Sequence, residues 1–346
     1  MTELLLNVLD QSPISEGSTG PDALRNTLDL ARLADGLGYH RYWLAEHHGT
    51  PTLACASPEV LIGPIAAGTE RIRVGSGGVM LPHYSPLSVA ERFSILSGLY
   101  PGRIDLGIGR APGTDQLTML ALQRDRRQTA PDDFPQQLTE LLAYLEDEMP
   151  ADHPFARLSA SLPGVPHRPE VWLLGSSPQS GIWAGELGLP YSFADFINPN
   201  GAEIAAEYRR RFEPSARSEA PRVAVGVMAV CAETDEEAER LASSSRMAFS
   251  LLRMGRLVPV PPVEKALRYL ETRERRPGGS GRRAVIGSPE TVRQGLREVA
   301  SEYAADELTV LTITHEHEAR RRSYELIAEA FALEGAAAGA AAGAQP

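Results

Sequence analysis

The sequence predicts a single (β/α)8 TIM barrel, and three observations carry that expectation. Short apolar runs alternate with stretches of helical periodicity about eight times along the chain. A length of 346 residues suits one α/β barrel, which often runs this long without dividing. The apolar runs also end in polar residues, and a parallel barrel gathers its chemistry at the strands' C-terminal ends. A doubly wound sheet is the competing arrangement, because counting strands does not close them into a ring.

Leu4-Leu-Leu-Asn-Val-Leu9 is the first expected strand and ends at Asp10. Gly20-Pro21 opens a helix in which Leu24, Leu28 and Ala31 keep one face, and Gly38 stops it. Arg41-Tyr-Trp-Leu-Ala-Glu-His-His48 is the second strand. Tyr42, Trp43 and Leu44 suit a buried pleated setting, whereas Glu46, His47 and His48 are costly there unless paired or used. Pro58 begins a helix through Ala67, and Arg71-Ile-Arg-Val-Gly75 starts a third strand that runs into Ser76-Gly-Gly-Val-Met-Leu-Pro82. Val89, Phe93, Leu96 and Tyr100 mark a helical face, Pro101-Gly102 breaks it, and Arg103 to Arg110 alternates as a fourth strand.

Phe134 to Asp147 reads as a helix with Leu138, Leu141, Leu142 and Leu145 on one stripe. Glu170-Val-Trp-Leu-Leu174 is the fifth strand, Tyr191 to Ile197 the sixth and Val223 to Val230 the seventh. Gly255 to Arg283 is an irregular insertion with Pro259, Pro261, Pro262, Pro277 and the run Gly278-Gly-Ser-Gly281; such a stretch is a functional lid or disordered. Leu308 to Ile313 is the eighth strand, and a last helix runs to about Leu333. The expected organisation is one barrel over residues 1–333 and a low-complexity, disordered tail over 334–346.

Composition narrows the function. Hydrophobic residues make up 42% and charged ones 23%, an ordinary soluble balance, and no apolar run is long enough to span a membrane. Met1-Thr-Glu has an acid where a secretory signal carries base, and two cysteines make no disulfide framework, so a cytoplasmic protein is expected. With 34 basic against 45 acidic residues the net charge is −11, which disfavours nucleic acid as a partner.

The strand ends collect Asp10, Glu46-His47-His48, Ser76-Gly77-Gly78, Arg110, Ser176-Ser177, Asp195 to Asn198 and His315. Arg110 with Ser176, Ser177 and Ser180 suits a phosphate, through bidentate arginine bonds and a helix N-terminus. The same residues also fit a plainer arrangement, with Arg110 paired to Asp105 or Asp115 and the serines capping a helix. Ser76-Gly77-Gly78 would let a flat ligand approach the backbone, or would form a β-bulge with no ligand. Adjacent histidines on a strand face opposite ways, and no supporting spacing makes a metal site. A general acid–base group or a hydrogen-bond donor to a cofactor therefore suits Glu46-His47-His48 better, with one histidine structural. Gly107-Ile-Gly-Arg-Ala-Pro-Gly113 has the wrong spacing for a dinucleotide loop, and no G-x-S-x-G elbow supports a serine hydrolase.

Five segments in order resemble the bacterial-luciferase-like flavin monooxygenases, across roughly residues 4 to 333. They are Ala34 to His48, Arg73 to Pro82, Tyr100 to Arg110, Val171 to Ser177 and Val285 to Glu290. The resemblance implies a barrel that binds FMN at its C-terminal face. Reduced FMN would come from a separate flavin reductase and form a C4a-peroxyflavin with O2, which oxygenates the substrate. By position, His47 matches the catalytic histidine, with Glu46 and His48 as its supporting shell. Gly77–Gly78 matches a non-proline cis peptide under the flavin ring. Arg110, Ser177 and Ser180 match phosphate contacts, and Ser76, Leu174 and Ser176 complete the cofactor-binding set. Residues 255–283 match a mobile lid, and a homodimer through helices near the start of the chain is implied.

Ser176 stands where luciferase has a phosphate-facing glutamate, and Gly109 where it has a reactive cysteine, which argues against aldehyde-driven light emission. The resulting expectation is a two-component FMNH2- and O2-dependent monooxygenase. Its substrate would be an apolar organic molecule, of the kind found in aromatic polyketide antibiotic pathways. The alternatives are an F420-dependent hydride-transfer oxidoreductase of the same fold and a non-catalytic flavin-binding protein.

Overall fold

The computed structural model describes residues 4–110, 114–122, 133–272 and 283–335. Its strands are β1 (Leu5–Asp10), β2 (Arg41–Leu44), β3 (Arg73–Met80), β4 (Ile104–Gly109), β5 (Glu170–Gly175), β6 (Tyr191–Ala194), β7 (Val223–Cys231), β8 (Ala284–Gly287) and β9 (Glu307–Leu311). They pair in the order β6-β5-β4-β3-β2-β1-β9-β7, and a β6–β7 pairing closes the ring. Every pairing between these strands is parallel. The protein is a closed eight-stranded (β/α)8 barrel with one strand outside the ring.

That outer strand is a departure from the sequence expectation. Short β6 pairs only with Val223–Gly226 of β7, which leaves the same edge open further on, and β8 pairs there with Met228–Cys231. The expected second strand also ends early, at Leu44, so Glu46, His47 and His48 sit in the loop that follows.

The expected lid divides into unlike parts. Residues 255–260 form a strap tied to the loop after β1, where Val260 N–H donates to Ile14 O at 2.9 Å and Glu16 N–H donates to Val260 O at 2.8 Å. A helix follows at Val263–Glu271, and residues 273–282 lie outside the described residues, as does the expected tail from 336 onward. Among the described residues no helix is long and apolar enough to cross a membrane.

Outward-facing Leu6, Val8, Tyr42 and Leu44 pack beneath the helices against Leu30, Ile62 and Leu326. The helix Gly20–Leu37 begins with a Thr19/Asp22 capping box and ends at Gly38, whose φ of 88° is the left-handed cap that glycine adopts without penalty.

The inward face is layered by the two-residue period of the strands. At the bottom, the Arg41 guanidinium donates to Asp105 at 2.8 Å and Glu307 at 2.8 Å, and approaches Glu170 at 3.3 Å. Arg73 joins Asp105, and Arg222 joins Glu170 and Glu307. Two residues further along β2 and β5, Trp43 and Trp172 meet edge to face at 5.4 Å. Their indole N–H groups point down, to Asp105 at 2.9 Å and Glu170 at 3.2 Å, and so seal the charged layer. Burial alone would push the Glu170 carboxyl up, but Arg41, Arg222 and Arg73 outweigh it and hold it at about 2.

Replacing Arg41 by leucine would leave two fully buried carboxylates each with one cation in place of two, and should lower stability by about 3–5 kcal/mol in urea unfolding. Because the Glu170 pKa is depressed in the folded state, its contribution is complete above about 4.5 and is lost as pH falls toward 2. Thermal unfolding of Glu170→Gln should accordingly lose less stability than the wild type over that window.

Candidate active site

Above the indoles the inward side chains become small, and space opens. Gly77 and Gly78 at the end of β3 and Gly109 at the end of β4 line a chamber of about 480 Å³. The Gly77–Gly78 peptide is cis, as the family resemblance led one to expect. A side chain at Gly78 is excluded, since its Cβ would lie 2.7 Å from the Gly107 carbonyl oxygen. Glycine lets β3 and β4 pair closely here and leaves the chamber floor as bare backbone.

A second chamber of about 490 Å³ adjoins the first. Its walls include Leu53, Phe249, Leu252, Leu257, Val258 and Ile313, with the strap 256–260 over them. The two chambers share four lining residues: Gln11, His47, Phe196 and Ile197.

His47 therefore stands in the common wall. Its backbone N–H donates to Cys55 O at 3.0 Å, while its side-chain Nδ1 is buried with no hydrogen-bond partner among the described residues. Burial first, and then the neighbouring His48, push the ring pKa down to about 4. The imidazole is therefore neutral near pH 7. It has one N–H to donate and one lone pair to accept with.

Glu46 is fully buried and acts as a hub. Its carboxylate accepts from Met80 N–H at 3.1 Å and Tyr84 O–H at 3.0 Å, and its third partner is His48 Nε2 at 2.6 Å. His48 lines the second chamber but not the first, so of the two adjacent histidines only His47 reaches both.

The far end of the first chamber is suited to an anion. The helix Pro178–Glu186 begins there with no side chain capping its first turn, and Pro178 has no N–H of its own. Ser176 and Ser177 line the chamber beside it, with Leu174 below. Exposed Arg110 lines the same end and lies over the Trp183 ring at 5.6 Å, so its charge is held near that helix start. It does not pair with Asp105, which belongs to the charged layer below. Ser180 also lines the chamber, but its hydroxyl donates to Ser177 O at 2.7 Å and meets Tyr191 at 2.9 Å, so it shapes the turn.

Several strand-end residues are not brought to either chamber. Ser76 faces away from the barrel interior, and its hydroxyl donates to Gly107 O at 2.8 Å. Asp10 is buried in an ion pair with Arg320 at 2.7 Å. Asp195 accepts from the Tyr303 hydroxyl at 2.7 Å, and burial raises its pKa. His315 joins Glu316 and the Glu16 carbonyl. Conversely, Gln11 and Trp183 line the chambers without having been singled out from the sequence. Gln11 carried a signal, as it lies one residue past a strand end.

A family model described as luciferase-like monooxygenase matches residues 4–307. A luciferase-like monooxygenase of Escherichia coli is 42% identical over 326 residues, covering 93% of this chain and 96% of that one. An N-acetyl-S-alkylcysteine monooxygenase of Bacillus subtilis is 39% identical over 331 residues, covering 94% and 97%. The crystal structure of apo-MsnO8 superposes with a TM-score of 0.88 at 41% identity, covering 96% and 98%. A Baeyer–Villiger monooxygenase component in complex with FMN, at 19% identity, and an F420-dependent secondary alcohol dehydrogenase, at 12%, share the fold alone. With a family model over most of its length and relatives this similar at nearly full coverage, the chain belongs to the luciferase-like, flavin-dependent monooxygenase family.

Proposed function

We propose that the protein is the oxygenase of a two-component system. It takes reduced FMN from a separate flavin reductase and, with O2, adds one oxygen atom to a largely apolar organic molecule. The observation that carries this reading is the position of His47, whose buried Nδ1 has no partner among the described residues, in the wall between a glycine-floored chamber and a mainly apolar one. The residues of the first chamber fit FMN. Arg110, Ser176, Ser177 and the N–H groups of the helix start would take its phosphate, and Gly77–Gly78 would let the flat ring lie against backbone.

The bound reduced flavin supplies the two electrons that activate O2, one oxygen atom going to substrate and the other leaving as water. His47, neutral at working pH, can hold or release a proton at the wall between the flavin and substrate sides. Leu53, Phe249, Leu252 and Leu257 exclude water from the substrate side, which limits loss of activated oxygen as hydrogen peroxide. An aromatic polyketide intermediate is one substrate of the required character. The enzyme would work in the cytoplasm with its two buried cysteines reduced. Exposed Val60, Ile95 and Leu99, on helices near the start of the chain, would suit pairing into a homodimer.

A hydride-transferring enzyme that uses F420 would need the same first chamber but no O2. A protein that only stores flavin would not need an unpartnered histidine at the wall. The readings separate in one assay, with enzyme, flavin reductase, NADH, FMN and a metabolite extract of the source organism. The oxygenase adds one oxygen atom to an extract component by mass spectrometry; no such product, with rapid reduction of supplied F420, overturns it.

In that assay His47→Ala should lower product formation by roughly 10²–10⁴-fold while FMN affinity is kept. Arg110→Ala should weaken FMN binding by roughly 10–100-fold in fluorescence titration, and should leave riboflavin, which lacks the phosphate, unaffected.

A further inference from the structure

We propose that His48 is the hydrogen-bond acceptor that selects the substrate, that Glu46 sets it in that role, and that the substrate is an apolar molecule bearing an O–H or N–H donor. The inference rests on the two-chamber reading above and adds to it what the second chamber recognises.

It starts from the three partners of the buried Glu46 carboxylate. Met80 N–H can only donate, and the Tyr84 hydroxyl is oriented to donate. His48 Nε2 faces the same carboxylate across the 2.6 Å contact, and we place the ring proton on Nε2, donating to Glu46. With the proton assigned to Nε2, Nδ1 carries the ring's lone pair and is the acceptor. It has no hydrogen-bond partner among the described residues, and the ring lines the second chamber alone.

The ring is also held in place. His83 packs edge-on against it at 5.6 Å, and the Thr114 hydroxyl donates to the His48 carbonyl at 2.9 Å. The chamber lining is mainly apolar, with Leu53, Phe249, Leu252, Leu257 and Ile313, and also carries the polar Gln11, Asp115, Ser245 and Arg256. An oriented acceptor among apolar walls favours a ligand that brings a donor, because an isomer without one leaves the acceptor unsatisfied. Glu46 is the positioning residue. Its other oxygen holds Met80, next to the glycine floor, so the same carboxylate ties the substrate-side acceptor to the flavin-side backbone.

Two isomeric probes test this by calorimetry on the full chain: n-octanol, which has an O–H donor, and heptyl methyl ether, which has none. Wild type should bind the alcohol about tenfold tighter. His48→Asn, whose Oδ1 takes the place of Nδ1, should keep that preference, and His48→Phe should lose it. Nitrogen NMR gives a reading that is independent of any ligand. His48 Nε2 should be the protonated nitrogen in wild type, and Glu46→Gln, which turns its NH2 toward the ring, should move the proton to Nδ1. A protonated Nδ1 in wild type, or equal binding of the two probes, overturns the inference and leaves the monooxygenase reading standing. Failure of wild type to bind either probe overturns the apolar-substrate reading as well.

Discussion

The charged layer at the bottom of the barrel is the interaction on which the rest of the structure depends. A guanidinium taken out of water costs several kcal/mol unless it is well paired. Arg41 meets carboxylates from three other strands, Asp105 on β4, Glu170 on β5 and Glu307 on β9. Arg73 and Arg222 complete the balance of three cations against three anions. A hydrophobic plug of equal volume could be as stable, so the value of the network lies in register. A slip of one residue in any contributing strand would turn its charge out among the apolar helix contacts.

With register set from below, the two-residue period determines what each higher layer presents. On β2 the inward series runs Arg41, Trp43, and continues into the following loop through Ala45 and His47, from buried cation through indole to the site. On β5 it runs Glu170, Trp172, Leu174, Ser176. On β3 and β4 the upper positions are glycines, and the chamber exists because those strands supply no side chains to fill it. Depth also shapes the electrostatics. His47 lies far enough inside for burial to disfavour its charged form, whereas Arg110 is exposed at the chamber's end.

Much of the fold was legible because strand and helix periods are local properties. The ring closure was not, since it depends on one pairing between β6 and β7 that leaves no trace in either strand. Four-residue β8 was missed because its partner edge is open only through the shortness of β6. Ser76 misled by adjacency: it is next to Gly77 in sequence, but neighbours on a strand face opposite ways. Asp105 was a plausible partner for Arg110 by spacing, yet its place in the inward series puts it at the bottom of the barrel. The second chamber was legible only in part, where residues 256–260 of the expected lid and Phe196 and Ile197 beside Asp195 line it. Its other walls, among them residues 49–53, 114–115, 245–252 and 313, are brought together only by the closed barrel.

That the chambers share only four wall residues has an evolutionary consequence. A mutation in the strap or in Phe249, Leu252 or Leu257 changes the shape of the second chamber and touches no residue that lines the first. New specificities can therefore arise by drift on one side of the wall, with the other side kept under constant selection. Gln11, His47, Phe196 and Ile197 are the positions where that independence ends, and a change at any of them must satisfy both sides at once.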